Sequence, residues 1–362
     1  MKIELIALMP DMKGGGAERV MSIILREAVA NGCRTALIMT DADAQIDYPL
    51  DERIEIIKAP GQEGGKISRK LNLIRFLRSY TREHRDAVFL SFLPERNVDL
   101  LFSAPGKVKV VVSVRNDPAK DYGGSRLWHT IRDKMYKKAR TVVYQTPDAK
   151  DYFAERGIGG VTIPNPISPG LPYHDTKSGS KVIISVARLA SQKNYPMLMD
   201  AFSEVWRSHP EYQLHIWGNE GHEVGMAEQL KEYAAGLCCA DAIRFMGFSR
   251  DVAQRIAEAE IFVLSSDYEG MSNAMLEALT IGTPCVCTDC PVGAARMFIK
   301  DGENGLLTPV GDAKAMAAAI NRMIEDVELK KRCFANANTL REELDEKNIF
   351  KKWIEVLDDK PE

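Results

Sequence analysis

Ser265-Ser266-Asp267-Tyr268-Glu269-Gly270-Met271-Ser272-Asn273-Ala274-Met275-Leu276-Glu277-Ala278-Leu279 is the stretch that decides the fold. An apolar strand, Ile261 to Leu264, runs into this small-residue turn. A helix is expected to start near Ser272, and Glu269 and Glu277 bracket the turn with seven residues between them. A strand, a tight turn and a helix N-terminus make an anion site, because unpaired helix N–H groups and the helix dipole point at whatever lies there. Two carboxylates beside it suit a ligand that is both anionic and rich in hydroxyls, as a nucleotide sugar is.

Working outward, 362 residues exceed what one core usually serves, and 45% hydrophobic with 27% charged residues is ordinary globular composition, so two domains are expected. Seven cysteines, an odd number set largely in apolar or strand-like stretches, suit a reduced cytoplasmic protein. Cys285, Cys287 and Cys290 alternate like a strand with no His pair close by, which argues against zinc. The apolar strand Met1 to Met9 is too short for a signal peptide, and no stretch approaches the roughly 20 apolar residues of a transmembrane helix. A soluble or peripheral protein is therefore expected. The net charge of −3 hides an asymmetry: residues 1–170 carry 27 Lys and Arg against 21 Asp and Glu, and the remainder 21 against 30. A basic first half is expected to meet a negatively charged surface or acceptor. Nucleic acid is the weaker partner, since no recognised binding motif accompanies the charge.

In the first half, strand Ile3 to Leu8 leads to Gly14-Gly15-Gly16-Ala17-Glu18-Arg19-Val20, where consecutive glycines let the backbone approach a ligand or simply turn. Strands then alternate with helices: Thr35 to Met39, Ile54 to Lys58, a helix from about Ser68 to His84, then strands Ala87 to Phe92, Val108 to Val114 and Thr141 to Gln145. That alternation predicts a parallel sheet wound by helices, with ligands at the carboxyl ends of the strands. The glycine loop lies at one such end and Ser113-Val114-Arg115-Asn116-Asp117-Pro118 at another. Lys66 to Arg78 places Ile67, Leu71, Ile74 and Leu77 on one helical face flanked by basic residues, and Arg126-Leu127-Trp128 through Arg140 is basic and aromatic. Either suits an anionic membrane surface or an ordinary surface helix with its stripe in the core.

Ile163-Pro164-Asn165-Pro166-Ile167-Ser168-Pro169-Gly170-Leu171-Pro172 and the polar Asp175 to Lys181 read as the domain boundary, with few regular contacts across them. This gives domains of 1–170 and 171–340. The final amphipathic piece, 341–362 with Trp353, is expected to pack back on the first. In the second half, strand Val182 to Val186 leads to Arg188 and Lys193, two cations able to converge on a diphosphate. Gly218-Asn219-Glu220-Gly221 follows the strand Tyr212 to Trp217, Gly247-Phe248 follows Ile243 to Met246, and Asp289-Cys290-Pro291-Val292-Gly293 follows Cys285 to Thr288.

These elements, in this order, resemble glycosyltransferase family 4, retaining nucleotide-sugar enzymes of the GT-B fold. The resemblance is carried by Gly-Gly-Gly-Ala-Glu-Arg-Val, Val186-Ala187-Arg188-Leu189 with Lys193, Gly218 to Gly221, Ser266-x-x-Glu269-Gly270, Glu277 and Asn304-Gly305-Leu306-Leu307. It implies an α/β chain of two Rossmann-like, doubly wound parallel-sheet domains facing a central cleft, with acceptor on the first and donor on the second. By the resemblance, Arg188 and Lys193 hold the donor diphosphate, Glu277 the ribose and Glu269 the transferred sugar. The amides of Gly270, Met271, Ser272 and Asn273 lie beside Glu269, and Gly218, Phe248 and Ser266 complete the donor set. Gly15 and Gly16 would reach the distal phosphate on closure about Asn165 to Ser178.

Many family members place a catalytic His where this chain has Arg115-Asn116-Asp117, which become candidate acceptor or sugar contacts. That form, with Thr288 to Gly293, looks like the bacterial subgroup that extends polyprenyl-diphosphate-linked glycans, often with UDP-activated N-acetylhexosamines or hexoses. The resemblance thus implies a UDP-sugar donor, no obligatory metal, no resident cofactor and a lipid-linked glycan acceptor. It also implies a cytoplasmic enzyme held peripherally at the inner face of the membrane. Hydrolysis is disfavoured, because the cations call for a phosphate that simple glycosides lack. A non-catalytic nucleotide-sugar-binding subunit is the alternative of a different class.

Overall fold

The computed structural model of the protein describes residues 3–61, 64–221 and 223–358. The first two residues of the expected opening strand and the last four of the expected closing helix, 359–362, lie outside the described residues. The chain divides into two compact units, Met1–Pro166 with Glu346–Glu362, and Ile167–Asp345.

In the first unit the order is β1 (Glu4–Met9), α1 (Gly16–Ala30), β2 (Arg34–Met39), β3 (Glu55–Lys58), α2 (Lys66–Glu83), β4 (Val88–Ser91) and α3 (Pro94–Ser103). Then come β5 (Lys109–Val114), α4 (Arg126–Tyr136), β6 (Thr141–Tyr144), α5 (Pro147–Ala154) and β7 (Val161–Thr162). The strands form one parallel sheet in the order β3-β2-β1-β4-β5-β6-β7. Strands β1, β4 and β5 read as near-continuous apolar runs because their residues are buried, as parallel sheets with both faces covered require. Helices α3 and α5 were not anticipated. Helix α3 is polar where it is buried: the Asn97 amide donates to the Ser113 carbonyl at 3.0 Å and to the Tyr136 hydroxyl at 2.9 Å. The carboxyl-terminal helix, Glu346–Leu357, belongs to this unit, and its fully buried Trp353 lies 5.9 Å from the Phe92 ring.

The second unit runs β8 (Val182–Val186), α6 (Tyr195–Ser208), β9 (Gln213–Trp217), α7 (Met226–Ala235), β10 (Ile243–Gly247), α8 (Val252–Glu258) and β11 (Ile261–Leu264). It continues through α9 (Asn273–Ile281), β12 (Cys285–Thr288), α10 (Ala295–Phe298), β13 (Leu306–Thr308), α11 (Ala313–Glu325) and α12 (Val327–Glu343). Its sheet is also parallel, in the order β10-β9-β8-β11-β12-β13. The strand order reverses between β8 and β11, and the crevice beyond the carboxyl ends there is where open α/β sheets bind ligands.

The proline-rich stretch behaves differently from the loose boundary expected of it. The division falls after Pro166, and Ile167 to Asp175 is fastened along the second unit. The Ile167 amide donates to the Leu344 carbonyl, the His174 amide to Ile281 and the Asp175 amide to Ala257, all at 2.9–3.0 Å. Arg341 donates to the carbonyls of Thr280, Leu171 and Pro172 and stacks 3.7 Å over the Tyr173 ring. Prolines remove backbone donors but leave carbonyls free, and a planar guanidinium is well shaped to collect them.

Candidate functional site

Three loops meet at the carboxyl ends of β8, β11 and β12, and long-range hydrogen bonds join them. After β8, a turn at Ser191–Lys193 ends at Asn194, whose left-handed backbone (φ 45°) starts α6. The Asn194 side chain accepts from the Met197 amide at 3.2 Å as an N-cap and donates to Asp267 at 2.7 Å. The Asp267 amide donates to the Gln192 carbonyl at 2.9 Å, the Gln192 amide group to the Tyr268 carbonyl at 2.7 Å, and the Ser265 hydroxyl to the Lys193 carbonyl at 2.8 Å. This lacing delivers Lys193 Nζ onto Glu269 Oε1, with side chains only 11% and 10% exposed. The Ser266 hydroxyl donates to the same oxygen at 2.8 Å. One cation and one neutral hydroxyl donor thus converge on a single carboxylate oxygen, and Oε2 keeps its own capacity to accept.

The third loop supports the second. The Ser266 carbonyl accepts from Thr288 Oγ1 at 2.7 Å and from Cys290 Sγ at 3.0 Å, and the Ala294 amide donates to the Gly270 carbonyl at 3.0 Å. Burial pushes the Cys290 thiol up to about 12, so it acts as a neutral donor. A small cavity lined by Glu269, Ser272, Thr288, Cys290 and Ala294 lies between the loops. The helix expected near Ser272 starts at Asn273, and Ser272 caps it by accepting from the Met275 amide at 3.3 Å. Met271 is buried against this start.

Glu277, one turn into α9 and 6% exposed, accepts from the Ser168 hydroxyl at 3.1 Å. It therefore already binds a hydroxyl. Arg188 is exposed, and its side chain runs close to Gly221, where an added Cβ would lie 3.5 Å from Arg188 Cδ. Gly218 has φ +144°, and a Cβ there would stand 1.9 Å from the Ala187 carbonyl oxygen, so only glycine lets these two loops close on each other. Phe248, just past β10, is 65% exposed.

In the first unit, Gly15 caps α1, its carbonyl accepts from the Tyr48 hydroxyl at 2.8 Å, and the Gly14 amide donates to Asp47 at 3.0 Å. Gly16 is the first residue of α1. Arg115 turns inward: its guanidinium lies 3.7 Å over the Phe92 ring and 5.6 Å from that of Trp353, and Nη1 donates to Asn165 Oδ1 at 2.8 Å. Burial pushes it down to about 9. Asp117 is buried too and accepts from the Ala119 amide at 2.9 Å, while Asn116 is half-buried. In this structure Arg115 packs on aromatic rings, with its Nε and Nη2 unpaired among the described residues, and Asp117 accepts within a turn.

The sequence carried no signal for Ser168 as a partner of Glu277, or for Thr288 and Cys290 as partners of the Glu269 loop, because each acts across 20 or more residues. Asn194 did carry one: an Asn immediately before Tyr195-Pro196 is an N-cap followed by proline in the first turn.

Against known proteins, residues 173–339, within the second unit, match the family model described as Glycosyl transferases group 1. The chain is 30% identical over 188 residues to the lipopolysaccharide core biosynthesis glycosyltransferase LpsE of Rhizobium meliloti, an alignment covering 52% of each chain. It therefore spans about half the length of that relative. It is 21% identical over 365 residues, 99% of this chain and 98% of the other, to the GalNAc-alpha-(1->4)-GalNAc-alpha-(1->3)-diNAcBac-PP-undecaprenol alpha-1,4-N-acetyl-D-galactosaminyltransferase of Campylobacter jejuni. Among solved structures, Anabaena Alr3699/HepE in complex with UDP and glucose is similar with a TM-score of 0.83 and 18% identity, covering 98% of this chain and 99% of that one. This likeness bears on the fold alone: two parallel-sheet α/β units, as in GT-B glycosyltransferases.

Proposed function

We propose that the protein is a retaining glycosyltransferase of family 4 that moves a hexose or N-acetylhexosamine from a UDP-sugar to a lipid-linked glycan. The observation that carries this reading is the Lys193–Glu269 pair, held by three loops at the switch point of the sheet in the domain matched as Glycosyl transferases group 1. Glu269 accepts hydroxyls of the transferred sugar, with Lys193 and Ser266 fixing its orientation. Arg188 and Lys193 supply the positive charge that stabilises the departing diphosphate, the place where fixed charge accelerates most, so no divalent cation is obligatory. Glu277 exchanges its Ser168 contact for ribose hydroxyls. Glu269 acts as a sugar contact rather than a nucleophile in this reading, its Oε1 being fixed by Lys193 and Ser266. Front-face attack, in which the leaving phosphate helps accept the acceptor's proton, accounts for retention.

A relative named for acting on an undecaprenol-linked glycan and a neighbour solved with UDP support the choice of donor and acceptor. The first unit binds the acceptor and lies on an anionic membrane surface. Three neighbouring helices support this: α3 packs against both α2 and α4, and Ile67 (78%), Leu71, Phe102, Leu127 (69%) and Trp128 are exposed on them. The stripe expected on α2 is split, for Leu77 is buried whereas Ile67 and Leu71 face outward amid basic residues. No described helix is long and apolar enough to cross a membrane.

The test is release of UDP from a UDP-sugar panel, with and without lipid-linked acceptor and with chelator present. Turnover that survives EDTA and falls about 100-fold or more in Lys193→Ala is expected. Nucleotide-sugar binding without turnover on any acceptor would instead mark a non-catalytic subunit. Flotation with anionic vesicles should decline in Leu127→Ser/Trp128→Ala, and an unchanged fraction would remove the membrane from the reading.

A further inference from the structure

In the second unit, the loop that follows β9 lies along the loop that carries Arg188 and Lys193. The Leu189 amide donates to the Asn219 carbonyl at 2.9 Å, and Leu189 forms a parallel bridge with Glu220. Gly221 then passes the Arg188 side chain, since a Cβ there would lie 3.5 Å from Cδ and 3.6 Å from Nη1. Two residues further on, Glu223 closes on Ser191: Oε2 accepts from the Ser191 amide at 2.9 Å and Oε1 from its hydroxyl at 3.2 Å. Both oxygens of one carboxylate are thus held by the two donors of one serine, which lies between Arg188 and Lys193 in the chain.

The local sequence explains why this amide takes an acceptor from another loop. Ser191 opens the turn Ser191–Lys193, and the residue before it, Ala190, has no side-chain oxygen to offer. Glu223, 32 residues away, supplies one. The contact is exposed, unlike the Lys193–Glu269 pair, so a dissolved anion can exchange with it at little cost. Charge also sets Glu223 against a diphosphate on this loop. Lys193 already meets Glu269, whereas Arg188 has no carboxylate within ion-pair distance among the described residues. A diphosphate drawn to Arg188 and Lys193 comes within the screening length of Glu223, and the two anions oppose each other unless the carboxylate moves off. Donors that fit the two oxygens of a carboxylate fit two oxygens of a phosphate as well.

We propose that the amide and hydroxyl of Ser191 form a seat for a phosphate of the nucleotide donor, and that Glu223 occupies this seat until the donor displaces it. The proposal rests on the reading of this loop as the diphosphate site. Donor affinity is then lowered by the contact that has to be broken. Calorimetric titration of the full chain with UDP, and with uridine as the probe that lacks phosphate, tests this without turnover. Glu223→Ala should tighten UDP by about 5-fold or more and leave uridine unchanged, since the internal competitor is gone. Adding Ser191→Ala to Glu223→Ala should weaken UDP by about 3-fold or more relative to Glu223→Ala alone, again with uridine unchanged. If Glu223→Ala leaves UDP affinity as it was, or weakens UDP and uridine alike, the carboxylate is a brace for the loop and the proposal is overturned. If Glu223→Ala tightens UDP but the added Ser191→Ala changes nothing, the gain is charge repulsion at a distance and the seat is overturned. A parent chain that binds neither UDP nor uridine is a separate result: the transferase reading fails there, and the proposal with it.

Discussion

Replacing Lys193 and Glu269, singly and together, tests whether their pairing is structural, chemical or both. Both side chains are about nine-tenths buried and share one short contact, while Ser266 donates to the same carboxylate oxygen at 2.8 Å. Removing one member of a fully buried pair costs about 3–5 kcal/mol, because the other is left uncompensated. The residual exposure and the Ser266 hydrogen bond reduce that here, so Lys193→Met should cost about 2–3 kcal/mol. For a unit of this size the loss corresponds to a fall of about 5–10 °C in the melting transition of the second unit by calorimetry. Glu269→Gln keeps a hydrogen-bonding group and lets the lysine stem reach toward water, so it should cost about 1–2 kcal/mol. The double variant Lys193→Met/Glu269→Gln removes both charges and should melt within about 1 kcal/mol of the parent. Its UDP-sugar turnover should nonetheless stay down by about 100-fold or more, as both charged contacts proposed with the donor are gone. Additive melting losses in the double variant would refute the coupling. Recovery of turnover along with stability would refute the chemical role while leaving the structural one intact.

Gly218→Ala drives a methyl group to 1.9 Å from the Ala187 carbonyl oxygen, a backbone atom that cannot swing aside, so a loss of about 3 kcal/mol or more is expected by calorimetry. Trp353→Ala, by emptying a fully buried site against Phe92 and Arg115, should cost the first unit about 3–5 kcal/mol, read from its separate transition. All seven cysteines are free thiols and Cys238 is exposed, whereas burial raises Cys285, Cys287, Cys290 and Cys333. A disulfide reagent at pH 8 should therefore label a single thiol rapidly in the native protein, and Cys238→Ser should abolish that phase.

What could be read from the sequence was whatever repeats locally. Apolar runs such as Ile261 to Leu264 and the turn at Ser265 to Ser272 announce a strand feeding a helix, and the structure has β11 and α9 there. What could not be read was pairing at a distance. Nothing in residues 188–196 says that Lys193 meets Glu269 rather than solvent, because that contact depends on β8 and β11 being sheet neighbours. Polar helices escaped for a related reason: α3 buries Asn97 and Asp99, whose partners are Ser113, Tyr136, Lys70 and Arg96, so its buried face looks exposed on paper. The same blindness applied to Arg115. A charged residue following a strand reads as a ligand contact, and its packing on the adjoining rings of Phe92 and Trp353 could not be read from its position. Prolines at 164, 166, 169 and 172 suggested looseness, but their carbonyls and those of their neighbours still accept hydrogen bonds, and Arg341 takes two of them.

The placement of Trp353 also orders events in time. Synthesis delivers the whole second unit before the helix that carries Trp353, so the aromatic cover over Phe92 and Arg115 is the last piece of the first unit to leave the ribosome. Until then the earliest-made sheet has an unsealed apolar gap and an uncovered guanidinium, while the later-made sheet already has every strand it needs. The half of the chain that starts first is thus the half that finishes last, and its nascent form is the one that needs protection from aggregation during translation.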